Sequence, residues 1–213
     1  MHPIKDIYLI RHGETDYNRM GVVQGSGIDA HLNELGRQQA QAFFDHYQDL
    51  YINKIYTSAL VRTHQSVDGF IKKGIAWEQH PGLNEISWGN KEGKSPNTDD
   101  DLYYKNLTRT WREGNIDVPS EEGESPVQVL ERQKPVVDLI LSRPEEQAIL
   151  IAMHGRAMRV LLTHLFEQPL HKMDDFAHSN LCLYHLQYSY PDRAFKLVKG
   201  PLTEHLKHLP DSM

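Results

Sequence analysis

The sequence predicts an α/β fold: a three-layer α/β/α sandwich around a mostly parallel central sheet, with an excursion that caps one edge. Three observations carry this. Short β-branched apolar runs alternate with amphipathic helical patterns along the chain. The runs Ile4–Ile10 and Ala148–Met153 have the length and composition of strands buried on both faces. Between Pro81 and Ser125 the patterning loosens, and Gly, Pro, Asn and Asp recur. The 213 residues fit a single domain spanning 1–213, with 81–125 as a loop and helix excursion over the pocket.

Element by element, Ile4–Ile10 is the first strand. A glycine-rich loop follows (Gly21, Gly25, Gly27). Asn33 then caps a helix whose apolar face is Leu35, Ala42, Phe43 and Tyr47. "KIYTS", Lys54–Ser58, reads as a second strand, and "ALVRTHQSVDGFIKK" as one helix with Ser58 at its cap. "IAWEQ" is a third, shorter strand. In the excursion only Asp99–Glu113 looks helical, and Asp99, Asp100 and Asp101 mark its start. "SPVQVLERQKPVVDLILSR" is a long helix with Ser125 as cap and Pro126 at its first position; Pro135, inside it, should kink or break it. "AILIAM", Ala148–Met153, runs straight into His154-Gly155-Arg156 and a helix through Phe166. "LCLYHLQY" and "AFKLVKG" form a terminal pair of strands.

Composition excludes several function classes. A net charge of −6 and a pI near 6.1 leave no broad basic face for nucleic acid. No stretch approaches the ~20 apolar residues that span a bilayer, so no membrane partner is expected. Lys5, Asp6 and Arg11 interrupt the first apolar run, so it does not read as a targeting segment. The one cysteine, Cys182, supports neither a disulfide framework nor a thiolate zinc site. Within Leu181–Tyr184 it reads as a small buried packing residue, and a reducing cytoplasm is the expected location. The sequon Asn106-Leu107-Thr108 then carries no meaning. Composition is compatible with a homodimer.

Two strands ending in histidine followed by glycine are the main functional signal. In a parallel sheet both histidines emerge at the edge where open α/β sheets bind ligands. Ser58 and, one helical turn on, Arg62 come from a third strand end. Arg11, His12, Arg62 and His154 can therefore converge from distant segments as an anion site, with phosphate the natural occupant. Three competitors fail. "GNKEGKS", Gly89–Ser95, is one residue short of a GxxxxGK[ST] phosphate loop and lacks a preceding strand. Among thirteen histidines no HExxH or paired-carboxylate spacing appears, and His205 and His208 read as solvated residues of a polar tail. No G-x-S-x-G elbow is present for a serine hydrolase.

These residues resemble a known family. "RHGETDYN" is similar to the signature of the histidine phosphatase superfamily, which includes cofactor-dependent phosphoglycerate mutases and fructose-2,6-bisphosphatase-like enzymes. "LNELGRQQA", "IYTSALVRTHQS", "LNEISWGNKEGKS", "EEGES" and "LIAMHGRAMR" resemble its later segments in the family's order, over about Ile4 to Arg159. The resemblance implies that His12 is the nucleophile, forming a phosphohistidine. It implies that Arg11, Arg62 and His154 hold the phosphoryl oxygens with Asn18 assisting, and that Gln24, Gly25 and Gly155 contact the substrate. Glu85 takes the place of the general acid and base, and Glu14 that of an orienting partner for a cation.

These roles need no cofactor and no metal, because guanidinium and imidazole supply the charge and alignment phosphoryl transfer requires. A hydrogen bond from the other ring nitrogen of His12 would fix the attacking tautomer. Mutases of the family carry basic and aromatic positions after the acidic-loop glutamate, and an arginine pair further on. Here Ile86-Ser87-Trp88 follows Glu85 and no Arg-Arg pair occurs, with Lys91 and Lys94 the nearby cations that could compensate. The expectation is therefore a phosphatase acting on a small phosphorylated metabolite, with a phosphoglycerate mutase and a noncatalytic phospholigand-binding module as the alternatives.

Overall fold

The computed structural model describes residues 3–94 and 98–210; Ser95, the last residue of the Gly89–Ser95 turn, lies outside them. Among the described residues six strands form one sheet: β1 (Ile4–Arg11), β2 (Lys54–Thr57), β3 (Trp77–Gln79), β4 (Ala148–Met153), β5 (Leu183–Ser189) and β6 (Ala194–Leu202). Their spatial order is β3-β2-β4-β1-β5-β6. The first four in that order run parallel; β5 is antiparallel to both β1 and β6. The register decides the site. Arg11 lies opposite Met153 and Thr57 opposite Ala152, so His12, His154 and Ser58 all follow at one edge.

Alternation along the strands sends side chains to two cores. Ile7, Leu9, Ile149, Ile151 and Met153 face one, which α6 (Pro126–Leu141) and α7 (Gly155–Leu165) cover. Ile10, Leu150 and Ala152 face the other, against Phe43 of α2 (Glu34–Tyr47), Val67, and Phe70 of α4 (Asp68–Lys72). Helices on both faces make the expected three layers. In α7 all but Arg159 and His164 are buried. Its Leu161, Leu162 and Leu165 each contribute about 1.5–3 kcal/mol by that burial.

Most element ends match their capping residues. Asn33 accepts from Gly36 N at 2.8 Å to open α2. Ser125 opens α6 with a capping box, and Pro126 takes the first turn. A short helix after the first strand, α1 (Asp16–Arg19), is capped by Thr15 in the same manner. The excursion helix α5 (Thr98–Arg112) carries Asp99, Asp100 and Asp101 in its first turn.

Four expectations are corrected. The segment after β2 is not one helix: α3 (Val61–Ser66) stops at Val67, whose φ of −120° breaks it before α4. Ser58 is not its side-chain N-cap; Leu60 stands at that position, and the Ser58 hydroxyl accepts from Leu60 N at 3.1 Å and from His154 Nε2 at 2.8 Å. Pro135 does not break α6, which continues to Leu141 with Pro135 exposed to solvent. His205 is not solvated: it is buried against Phe43 and Tyr47, with Nε2 donating to Leu181 O at 2.9 Å. Cys182 is buried as expected. No helix among the described residues is long and apolar enough to cross a membrane.

Candidate active site

The edge where β1, β4 and β2 end builds the floor of a cavity of about 300 Å³. His12 is 2% exposed and reaches that cavity. Its Nδ1 lies 2.7 Å from the Gly13 carbonyl, which can only accept, so Nδ1 carries the proton and Nε2 keeps its lone pair. Burial, then Arg62 and Arg11, hold the imidazole well below its ordinary pKa and therefore neutral. Arg11 donates from Nη1 to His178 Nδ1 at 3.2 Å, while its buried Nε has no hydrogen-bond partner among the described residues. A neutral imidazole beside an unsatisfied guanidinium N–H suits an incoming phosphate.

Arg62 and His154 stand behind this surface, both 0% exposed. The ring centroids of His12 and His154 are 5.1 Å apart. Arg62 donates from Nε to His154 Nδ1 at 3.2 Å, from Nη1 to Ile28 O at 2.6 Å, and from Nη2 to Gly25 O at 3.2 Å. With Nδ1 accepting, His154 donates from Nε2 to Ser58 Oγ at 2.8 Å. Burial, then Arg62 and His12, keep this ring neutral too. The predicted four thus come together, in two layers: Arg11 and His12 line the cavity, and Arg62 and His154 back it.

Glu85 enters from the loop after β3, 8% exposed and facing the cavity. Its carboxylate accepts from Ala157 N at 2.8 Å, Ile86 N at 2.9 Å and Arg156 N at 3.1 Å. Arg156 and Ala157 belong to the first turn of α7, whose N–H groups have no intrahelical acceptor, so the helix holds the carboxylate in place. Arg132 fixes the loop from the other side, donating to Gly82 O at 2.8 Å, Asn84 O at 2.9 Å and Glu85 O at 2.9 Å. It also pairs with Glu124 of "EEGES" at 2.8 Å, and Glu124 accepts from Ser87 N at 2.9 Å.

The substrate-contact positions divide. Asn18, Gln24 and Gly155 line the cavity, and Gln24 Oε1 is buried with no partner among the described residues. Gly25 does not line it; it serves through its carbonyl, which holds Arg62. Glu14 pairs with Arg19 at 3.1 Å and accepts from Asn33 at 2.8 Å, away from the cavity lining.

Several lining residues escaped the sequence reading. His178 sits in the loop before β5, where no periodicity marks it. A Cβ at position 155 would fall 2.9 Å from its ring, so Gly155 makes room for it. Burial, then Arg11, push His178 down to about 2. Trp88, Tyr103 and Tyr104 wall the cavity from the excursion. Lys91 pairs with Asp100 at 3.1 Å and Glu121 at 3.7 Å, its ammonium 4.5 Å over the Tyr103 ring. Glu92 ties the excursion to the glycine-rich loop, accepting from Trp88 N at 2.8 Å and Gly27 N at 2.9 Å. Arg156 follows the second histidine-glycine pair, and that adjacency was the available signal.

Known proteins match both the sequence and the fold. The model of the histidine phosphatase superfamily (branch 1) matches residues 7–199. A probable phosphoglycerate mutase of Erwinia tasmaniensis is 31% identical over 167 residues, covering 76% of this chain and 75% of the relative. A probable phosphatase of Schizosaccharomyces pombe is 26% identical over 166 residues, covering 76% and 74%. Among solved structures, a mycobacterial glucosyl-3-phosphoglycerate phosphatase in complex with VO3 superposes with a TM-score of 0.81 at 25% identity, covering 93% of this chain and all of the other.

Proposed function

We propose that this chain, which belongs to the histidine phosphatase superfamily, hydrolyses small phosphomonoesters through a phosphohistidine formed on His12. The observation that carries this reading is the His12 tautomer: Nδ1–H is given to Gly13 O at 2.7 Å, which leaves an Nε2 lone pair in a ring that burial keeps neutral. In the first step Nε2 attacks phosphorus as the bond to the leaving oxygen breaks. Arg11 takes charge on the phosphoryl oxygens, and Arg62 and His154 hold the nucleophile's surroundings rigid. Glu85 donates a proton to the departing alkoxide. In the second step the ionised Glu85 takes a proton from water, the hydroxide oxygen bonds phosphorus, and the P–N electrons return to Nε2. Inorganic phosphate and the free alcohol are the products.

A mutase would return the phosphoryl group to a sugar-acid hydroxyl, a reading favoured by the mutase names among the sequence relatives. It needs cations on the acidic loop free to grip a carboxylate. Ile86 and Trp88 are buried there and Lys91 is committed to Asp100 and Glu121, while Lys94 also lines the cavity but is exposed to solvent. Water is therefore the expected acceptor. A panel of phosphorylated metabolites assayed for phosphate release tests the reading. Release from at least one supports it, and release from none, with binding retained, would leave a phospholigand-binding module.

A further inference from the structure

The arginine and histidine that end the first strand are gripped from behind by the turn that leads into β5. Residues 179–182 close that turn, with Cys182 N donating to Ser179 O at 3.3 Å. Its third residue, Leu181, has a φ of 53°, in the left-handed region that favours glycine, yet it is a fully buried leucine. Leu181 N donates to Arg11 O at 3.1 Å and to His12 O at 3.4 Å, and Leu181 O accepts from His205 Nε2 at 2.9 Å. A strained turn persists only where its surroundings hold it, and here they include the backbone of the site.

Three buried side chains fix the two peptides that flank Gly13. Asn180 Nδ2 donates to His12 O at 3.0 Å, and Gly13 N donates to Ser66 Oγ at 2.9 Å, so the peptide between His12 and Gly13 is held on both sides. Glu14 N donates to Gln39 Oε1 at 2.9 Å, which fixes the next peptide, whose carbonyl is the acceptor for His12 Nδ1. Asn180 reaches further. Its Nδ2 also lies 3.3 Å from Oδ1 of Asn18, which lines the cavity. His12 O can only accept, so the Asn180 atom that faces it is nitrogen, and the Asn18 atom that meets this nitrogen is oxygen. Thr15 N, at 3.2 Å, demands the same of Asn18 Oδ1. The Asn18 amide is thereby turned, and no hydrogen bond among the described residues takes its two N–H donors.

We propose that Asn180 is a positioning residue: from behind the cavity, one side chain sets both the His12 backbone and the Asn18 amide, and so presents Asn18 Nδ2 to a bound oxyanion. Its effect on the nucleophile rests on the phosphohistidine reading, and its effect on Asn18 does not. Calorimetry with inorganic phosphate, and single-turnover release of nitrophenolate from a nitrophenyl phosphate, test the two effects separately. Asn180→Ala should weaken phosphate binding about tenfold, roughly one charge-assisted hydrogen bond. In an Asn18→Ala background the same change should weaken it no further, the non-additivity of a residue that acts through another. The single-turnover rate constant at saturating substrate should fall by about 10–10²-fold in Asn180→Ala, and should fall in the Asn18→Ala background too, because the hold on the His12 backbone is separate. Should Asn180→Ala not fold, the unaltered chain decides. Phosphate should move the side-chain amide resonances of Asn18 and leave those of Asn180 nearly in place and slow to exchange with solvent.

Unmoved Asn18 resonances, or the same loss of phosphate affinity from Asn180→Ala with and without Asn18, would overturn the assignment. So would an unchanged single-turnover rate in a folded Asn180→Ala protein. No phosphohistidine in the unaltered chain, with the coupling between Asn180 and Asn18 intact, would sink the phosphohistidine reading and leave the hold on Asn18 standing.

Discussion

The floor and the roof of the reaction cavity are built in opposite ways. On the floor, His12, Arg62 and His154 are at most 2% exposed, and neighbouring carbonyls, a ring nitrogen and a hydroxyl dictate each polar contact. On the roof, Lys91 and Asp100 are about a fifth to a quarter exposed and pair across the excursion. Exposed pairs of that kind are worth at most about 1 kcal/mol, whereas a buried guanidinium stripped of its partner costs several. Under the proposed function the contrast separates two jobs: the floor fixes which bond is broken, and the roof selects what carries that bond at little cost in stability.

The largest break in this contrast should come from His12→Ala, with kcat lowered by about 10⁴-fold or more, as for loss of a nucleophile in a preorganised site. Its melting temperature should barely move, because burying an imidazole between two guanidiniums is itself unfavourable. Steady-state kinetics with thermal melts reads both; unchanged turnover would remove His12 from the chemistry.

Glu85→Gln comes next. Alkyl phosphates should lose about 10²–10⁴-fold, the range of general acid catalysis. Aryl phosphates with good leaving groups should lose far less in the pre-steady-state burst, since a nitrophenolate hardly needs the proton. Equal losses in the burst would make Glu85 a positioning residue, a role its contacts to Arg156 and Ala157 could also serve.

The roof is probed by partitioning. With 3-phosphoglycerate and catalytic 2,3-bisphosphoglycerate, phosphate release should keep pace with or exceed formation of 2-phosphoglycerate. Interconversion more than tenfold faster than release would mean that the roof grips a carboxylate after all, and would make the enzyme a mutase.

The same contrast marks what the sequence could disclose. The floor was legible because two buried runs end abruptly in histidine and glycine, and the parallel register then brings those ends together. Asn33, Ser125 and Pro126 were legible because capping is local chemistry. Ser58 was legible as part of the strand end that reaches the site, but its capping role was not borne out, because its own neighbours offered a helix start while its partner His154 lies 96 residues away. His178, Tyr104 and Arg132 reach the site from a loop or from helix faces whose local pattern says nothing about what they meet. His205 looked solvated in a polar tail because Phe43 and Tyr47, which cover it, come from α2.

A smaller effect concerns pH. His12, His154 and His178 are all held below the ordinary histidine range, chiefly by burial. Below about pH 6.5 the unfolded chain binds protons that the native rings refuse, so stability is complete above that value and falls as pH falls. Each such ring contributes at most about 1.4 kcal/mol per pH unit. Urea midpoints should therefore drop between pH 7 and 5, less steeply in His178→Asn. A midpoint that holds or rises on acidification would contradict the neutral-imidazole floor.

The most direct measurement is rapid acid-free quenching of the enzyme during turnover of a ³²P-labelled phosphomonoester, followed by peptide mapping. The account predicts a phosphoryl group on His12, stable to base, labile to acid, and lost to water with the rate constant of turnover. Label on a serine, or turnover with no labelled protein at any time, would contradict it.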